Sequence, residues 1–137
     1  MEHYVVGFLF DYDSPMVLLL RKTHPSWQAG KLNGIGGHIE EGESPIEAME
    51  REFFEEAGLK INRWKHFATL ECPEKYRCIF YSAKLRRDEP EPCSKTEEKI
   101  EWVDSLDLPS DVIDNLKWLI PLSKDYQVDR PVEIFTS

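Results

Sequence analysis

The stretch Gly36–Leu59, GGHIEEGESPIEAMEREFFEEAGL, carries more structural information than any other part of the chain. Ser44 and Glu47 have the spacing of a capping box, and Pro45 falls at the first helical position, where a missing N–H costs nothing. Gly58 is the natural stop, because glycine accepts the left-handed geometry that ends a helix. Between these signals Ile46, Met49, Phe53 and Ala57 share one side, which is expected to face the core. Successive helical residues rotate by about 100°, so Glu52, Glu55 and Glu56 fall within one arc of roughly that width beside the apolar stripe. Like charges so close repel, and each pair weakens the helix by roughly 0.2–0.5 kcal/mol. A hard cation such as Mg²⁺ or Mn²⁺ would remove that penalty. Arg51 lies one turn from Glu47 and Glu55 and can orient a carboxylate through a bidentate contact. The plain alternative is a solvated helix face laced with ordinary ion pairs.

Outward from this helix the pattern changes to strands. His3 to Phe10 and Pro15 to Lys22 are rich in Val, Leu, Phe and Tyr and are separated by the polar turn at residues 11–14. Residues 23 to 37 contain four glycines and a proline, which predicts a loop with one short extended piece. Beyond the helix, Arg63 to Glu71 and Tyr76 to Leu85 read as two strands joined by a turn at Pro73. Residues 86 to 98 read as an exposed loop, and Lys99 to Val103 as a short strand. Ser110 is expected to cap a second helix running to about Ile120, with Pro121 ending or kinking it. Strands on either side of a central helix, then a terminal helix, predict an α/β fold in which a mixed sheet is covered on both faces.

The 137 residues fit one domain, with 41% apolar residues and no apolar run long enough to cross a bilayer. A net charge of −9 disfavours binding to duplex nucleic acid or to an anionic membrane. It does not exclude an anionic small molecule, since carboxylates that gather cations reverse the local field. Cys72, Cys78 and Cys93 have no metal-ligand spacing, and an odd count argues against a disulfide framework. Reduced thiols in a cytoplasmic setting are the expectation.

The register of glycines and acids resembles the Nudix hydrolase signature, Gly-x5-Glu-x7-Arg-Glu-U-x-Glu-Glu-x-Gly-U, where U is bulky and aliphatic. Gly37, Glu43, Arg51, Glu52, Glu55, Glu56, Gly58 and Leu59 match in register, and Phe53 stands where Ile, Leu or Val is usual. The resemblance implies a Nudix-like α/β/α sandwich spanning residues 1–137 as one domain. It implies metal ligation by Glu52, Glu55, Glu56 and the Gly37 carbonyl, with Glu52 also helping to deprotonate water. Glu43 and Arg51 look like the pair that braces loop against helix. A further acid from a downstream loop is common in the family; Glu97 is the choice here and Glu98 its close rival, with a solvated loop carboxylate as the alternative for either. The chemistry implied is substitution by water at phosphorus, with Mg²⁺ or Mn²⁺ activating the water and neutralising phosphate oxygens.

Residues that would choose the nucleotide are less distinctive. Gly30 to His38 resembles the corresponding segment of relatives that cleave nucleoside triphosphates, among them those that remove oxidised purine triphosphates. In some of these, the asparagine matching Asn33 hydrogen-bonds the base, and Asp114 and Asn115 occupy base-reading positions. An amide offers both donor and acceptor to a purine edge. A turn contact for Asn33 and an exposed helix position for Asn115 are the alternatives. Trp27 is a candidate to stack on a base or, equally, a core anchor. His38 stands where lysine is common, so a phosphate contact there is either weakened or absent. Pro73 resembles a proline of ADP-ribose-cleaving relatives and Tyr76 a tyrosine of dinucleoside-polyphosphate relatives, although a turn and a strand explain both. The resulting expectation is hydrolysis of a nucleoside 5′-triphosphate, including an oxidised or modified purine, to monophosphate and pyrophosphate. The alternatives are cleavage of ADP-ribose or another nucleoside-diphosphate derivative, or a non-catalytic nucleotide-sensing or partner-binding module.

Overall fold

The first strand sets the frame because both of its faces are apolar. In the computed structural model, which describes residues 1–125, 127 and 129–137, β1 (Glu2–Phe10) lies in the middle of an eight-stranded mixed sheet. Its partners are β2 (Met16–Arg21), β4 (Ile35–His38) and β6 (Tyr76–Lys84). β6 runs parallel to β1 over its whole length. β2 pairs with it only at Leu9↔Leu18 and Phe10↔Val17, and β4 takes over from Gly7 to Tyr4. Between those two partners comes β3 (Leu32–Asn33), paired with the end of β2. The segment read as a loop thus contains two short strands around Gly34, wedged where β1 and β2 diverge.

The remaining strands complete the two wings. β5 (Lys65–Cys72) pairs antiparallel with β6, and β7 (Ile100–Asp104) pairs antiparallel with β2. β8 (Val132–Phe135) adds a parallel edge strand on β5 and had no sequence expectation. Two helices cover the sheet: α1 (Pro45–Ala57) and α2 (Leu116–Ser123).

Alternation along β1 divides the core. Val5 and Leu9 meet Met49, Phe53 and Trp64 under α1, whereas Phe8 joins Leu116, Leu119 and Ile120 under α2. Gly36 on β4 is obligatory, since a β-carbon there would collide with the Val5 carbonyl oxygen of β1. This is the α/β/α layering expected.

Helix α1 has its predicted ends, with the capping box formed in both directions and Gly58 in the left-handed conformation at φ 73°. Ala48 joins the buried stripe, but Ile46 is exposed in the first turn, where the helix overhangs the sheet. Helix α2 departs from expectation. Ser110 does not cap it, because residues 111–113 are drawn into extended pairing with Leu32: Leu32 N donates to Asp111 O and Ile113 N to Leu32 O. The helix therefore starts only after Asn115 and continues two residues past Pro121.

Candidate active site

Three neighbouring pieces of backbone open into one cleft of about 1020 Å³: β4, the outward face of α1, and the segment 22–28 that leaves β2. Arg51 organises its acidic end. Nε and Nη2 donate to the two oxygens of Glu43 at 2.7 and 3.0 Å, and Nη2 also donates to the His38 carbonyl at 3.0 Å. Nη1 donates to Glu52 Oε1 at 3.0 Å and to Glu55 Oε1 at 3.3 Å. All five guanidinium N–H groups are thereby engaged, and the group is held charged far above its ordinary range, first by Glu43. The same contact lowers the Glu43 carboxyl below the usual carboxylate range. Glu43 and Arg51 bridge the loop to the helix as the resemblance implied. The Arg51–Glu47 contact foreseen is absent, because Glu47 is committed to the Ser44 amide.

The signature carboxylates occupy three different environments. Glu52 is half-buried; loss of solvent pushes its carboxyl above the usual range, Arg51 pulls it back, and Glu55 and Glu56 add to the rise. It lies flush against Gly37, where a β-carbon would approach Glu52 Oε1 to 2.5 Å. Glu55 is exposed at the mouth. Glu56 Oε2 accepts from the Thr96 hydroxyl at 2.7 Å. Among the described residues no group of three or more His, Cys, Asp or Glu side chains is gathered to metal-binding distance. Arg51 Nη1 links Glu52 to Glu55 while Thr96 engages Glu56 separately, and the three-way convergence expected from helical spacing is not preformed. The donor set nonetheless suits a hard cation. It consists of three like-charged carboxylates with a single guanidinium among them, beside a glycine backbone that leaves room for them.

At the far end the cleft becomes apolar, lined by Tyr4, Leu70, Tyr76, Phe80 and Ile113. Asn115 closes it, and its Oδ1 is buried with no hydrogen-bond partner. Asn33 also lines the cleft, but its amide is already used: Nδ2 donates to Gln28 Oε1 at 2.9 Å and Oδ1 accepts from Gly34 N at 2.8 Å. Trp27 is 65% exposed at the rim, which removes the core-anchor reading. His38 lines the opening and stands 3.3 Å from Glu2.

Two expected residues are not brought to the cleft. Asp114 has a side chain 95% exposed and pairs only loosely with Lys117. Glu97 is exposed, and its neighbour Glu98 turns inward instead. Pro73 is in the β5–β6 turn and does not line the cleft, whereas Tyr76, the first residue of β6, does. Lys22 and Gln28 also line it and were not singled out from sequence; nothing in a short loop sequence marks which side chains turn inward.

The NUDIX domain family model matches residues 1–122. The chain is 31% identical over 97 residues to the 8-oxo-dGTP diphosphatase of Escherichia coli (strain K12), covering 69% of this chain and 74% of that protein. A MutT structure from work on Aliivibrio salmonicida and Vibrio cholerae superposes with a TM-score of 0.69 at 23% identity, over 88% of this chain and 96% of the other. The NUDIX domain of Shewanella oneidensis NrtR, solved with ADP ribose, superposes with a TM-score of 0.74 at 18% identity, over 91% and 87%. These two structures share the fold. The chain belongs to the Nudix family. Within it, the chain is a MutT-type pyrophosphohydrolase.

Proposed function

We propose that the chain hydrolyses a purine nucleoside 5′-triphosphate, including an oxidised or otherwise modified one, to the monophosphate and pyrophosphate. The observation that carries this reading is that one cleft is lined both by carboxylates and by an apolar surface beside Asn115, whose buried Oδ1 has no partner among the described residues. A buried acceptor without a donor costs about 1–3 kcal/mol, and an N–H on a base edge would remove that cost. Trp27, exposed at the rim, supplies a face for stacking. Asn33 reaches a base only by giving up Gln28, so Asn115 is the stronger reader.

Glu52, Glu55, Glu56 and the Gly37 carbonyl would hold Mg²⁺ or Mn²⁺, whose charge offsets that of the phosphates and activates water. Glu52, with its proton affinity lifted by burial, is our choice to accept the proton from the attacking water. Arg51 keeps Glu43 and Glu52 in fixed positions, so it acts on geometry and not on substrate. A water oxygen bonds to one phosphorus of the α–β anhydride, that phosphorus loses its bond to the bridging oxygen, and the water's proton passes to Glu52. The bridging oxygen stays with the phosphoryl group that is not attacked, and the products are the monophosphate and pyrophosphate.

The E. coli relative's name, 8-oxo-dGTP diphosphatase, supports an oxidised purine as one substrate to test. The test is pyrophosphate release from dGTP, dATP, 8-oxo-dGTP, ADP-ribose and a diadenosine polyphosphate, each with Mg²⁺ and with Mn²⁺. Release from the purine triphosphates is expected. Turnover of ADP-ribose alone would overturn the triphosphate reading, and no turnover of any would favour a sensing module.

A further inference from the structure

Glu98 stands just before β7 with a side chain only 7% exposed, and both of its oxygens are occupied. Oε1 accepts from Lys22 Nζ at 3.0 Å. Oε2 accepts from the Thr23 amide at 2.6 Å, the Thr23 hydroxyl at 3.1 Å and the His24 amide at 3.4 Å. Three donors thus saturate Oε2, and the Lys22 ammonium holds Oε1. Glu56, by contrast, accepts from one side chain, that of Thr96.

The amides that Glu98 holds begin the segment carrying Trp27 and Gln28 along the cleft wall. On its other side, the Glu98 amide donates to Thr96 Oγ1 at 3.2 Å, and that hydroxyl donates to Glu56 Oε2 at 2.7 Å. A continuous path of hydrogen bonds therefore joins the acidic helix to the loop at the opposite side of the cleft.

We infer that Glu98 is a positioning residue that ties the Thr23–His24 backbone down and so sets the Trp27 loop relative to the acidic helix, leaving it without a free oxygen for a cation. Its substrate arm rests on the proposed nucleotide hydrolysis; its structural arm does not. Glu98→Ala removes every side-chain contact, whereas Glu98→Gln keeps an amide oxygen for the Thr23 N–H but turns an NH2 donor toward Lys22, losing both the charge and the acceptor there. Loss of charge-assisted bonds to the loop should raise KM for dGTP roughly tenfold or more in Glu98→Ala, and less in Glu98→Gln. Turnover at saturation should stay within about a factor of two to three, the scatter of a remote change.

In the metal-free protein, hydrogen exchange at the Thr23 and His24 amides should accelerate in Glu98→Ala and be partly protected again in Glu98→Gln. Mn²⁺ affinity, read by titration of the free protein, should match the wild type in both. If Glu98→Ala does not fold, Glu98→Gln carries the same three measurements. The inference is overturned if Mn²⁺ affinity falls tenfold or more in Glu98→Gln, or if Thr23 exchange and KM are both unchanged. Failure of the wild type to turn over dGTP would remove the nucleotide reading and leave the exchange and Mn²⁺ measurements to decide the role of Glu98.

Discussion

Gly37 has no side chain, and the Glu52 carboxylate fills the space beside it. Gly37→Ala should therefore displace Glu52 without breaking the fold, because a carboxylate at the end of a flexible side chain can move. A displacement of about 1 Å at a reacting group costs roughly 10²-fold in rate, so turnover should fall by that order while the melting temperature changes little. Glu52→Gln removes a charge that burial and two like neighbours disfavour, so the metal-free variant should melt higher than the wild type. Its activity should drop by about 10²-fold or more; a lower melting temperature would contradict the strain argued here. At this scale the signature residues were legible because motif spacing and helical rotation leave little freedom. Glu97 and Glu98 were not separable. Both lie in a bend before β7, and Glu98 is the one turned inward because Lys22 and the Thr23 and His24 amides bind it, contacts that no neighbouring sequence signal marks. Asp114 and Asn115 lie in the turn that opens α2, whose position follows from the pairing of the preceding residues with Leu32, again a distant contact.

At the scale of elements, α1 is a rigid carrier for its acids because both ends are closed locally. Ser44→Ala opens the capping box and should cost about 1 kcal/mol of stability, seen in a denaturant titration. Gly58→Ala should cost about 1–2 kcal/mol, since φ 73° disfavours a β-carbon, which would also meet Lys95. Such an element is readable from sequence because its signals are near neighbours in the chain. The elements that were misread depend on distant partners. β3 and β4 extend because β2 and β1 pair with them, β8 because β5 offers an edge, and α2 starts late because Leu32 claims the residues before it.

Across the whole molecule the charge of −9 is unevenly balanced. The Arg51 contact lowers Glu43. At Glu98 burial opposes ionisation, but the Thr23 amide and Lys22 outweigh it and lower that carboxyl too. Both contribute stability present above the ordinary carboxylate pKa and lost as pH falls through their lowered values. Glu52 is raised and works in the opposite sense, its cost being present above its own pKa and relieved by a proton below it. A proton and a cation then compete for the same carboxylate. Mg²⁺ should therefore raise the melting temperature at neutral pH, and that gain should shrink as the solution becomes mildly acidic. A gain independent of pH, measured by thermal denaturation across that range, would contradict the assignment.

The incomplete β1–β2 ladder has a consequence for how preference for a base can change. Lys22 N donates to Lys31 O and Gly30 N to Lys22 O, so the chain leaves the sheet and rejoins it at one hydrogen-bonded doorway. Residues 23–29 hang outside that doorway as an exchangeable cassette. Grafting the corresponding stretch of a relative that prefers another nucleotide should shift selectivity while the scaffold refolds unchanged.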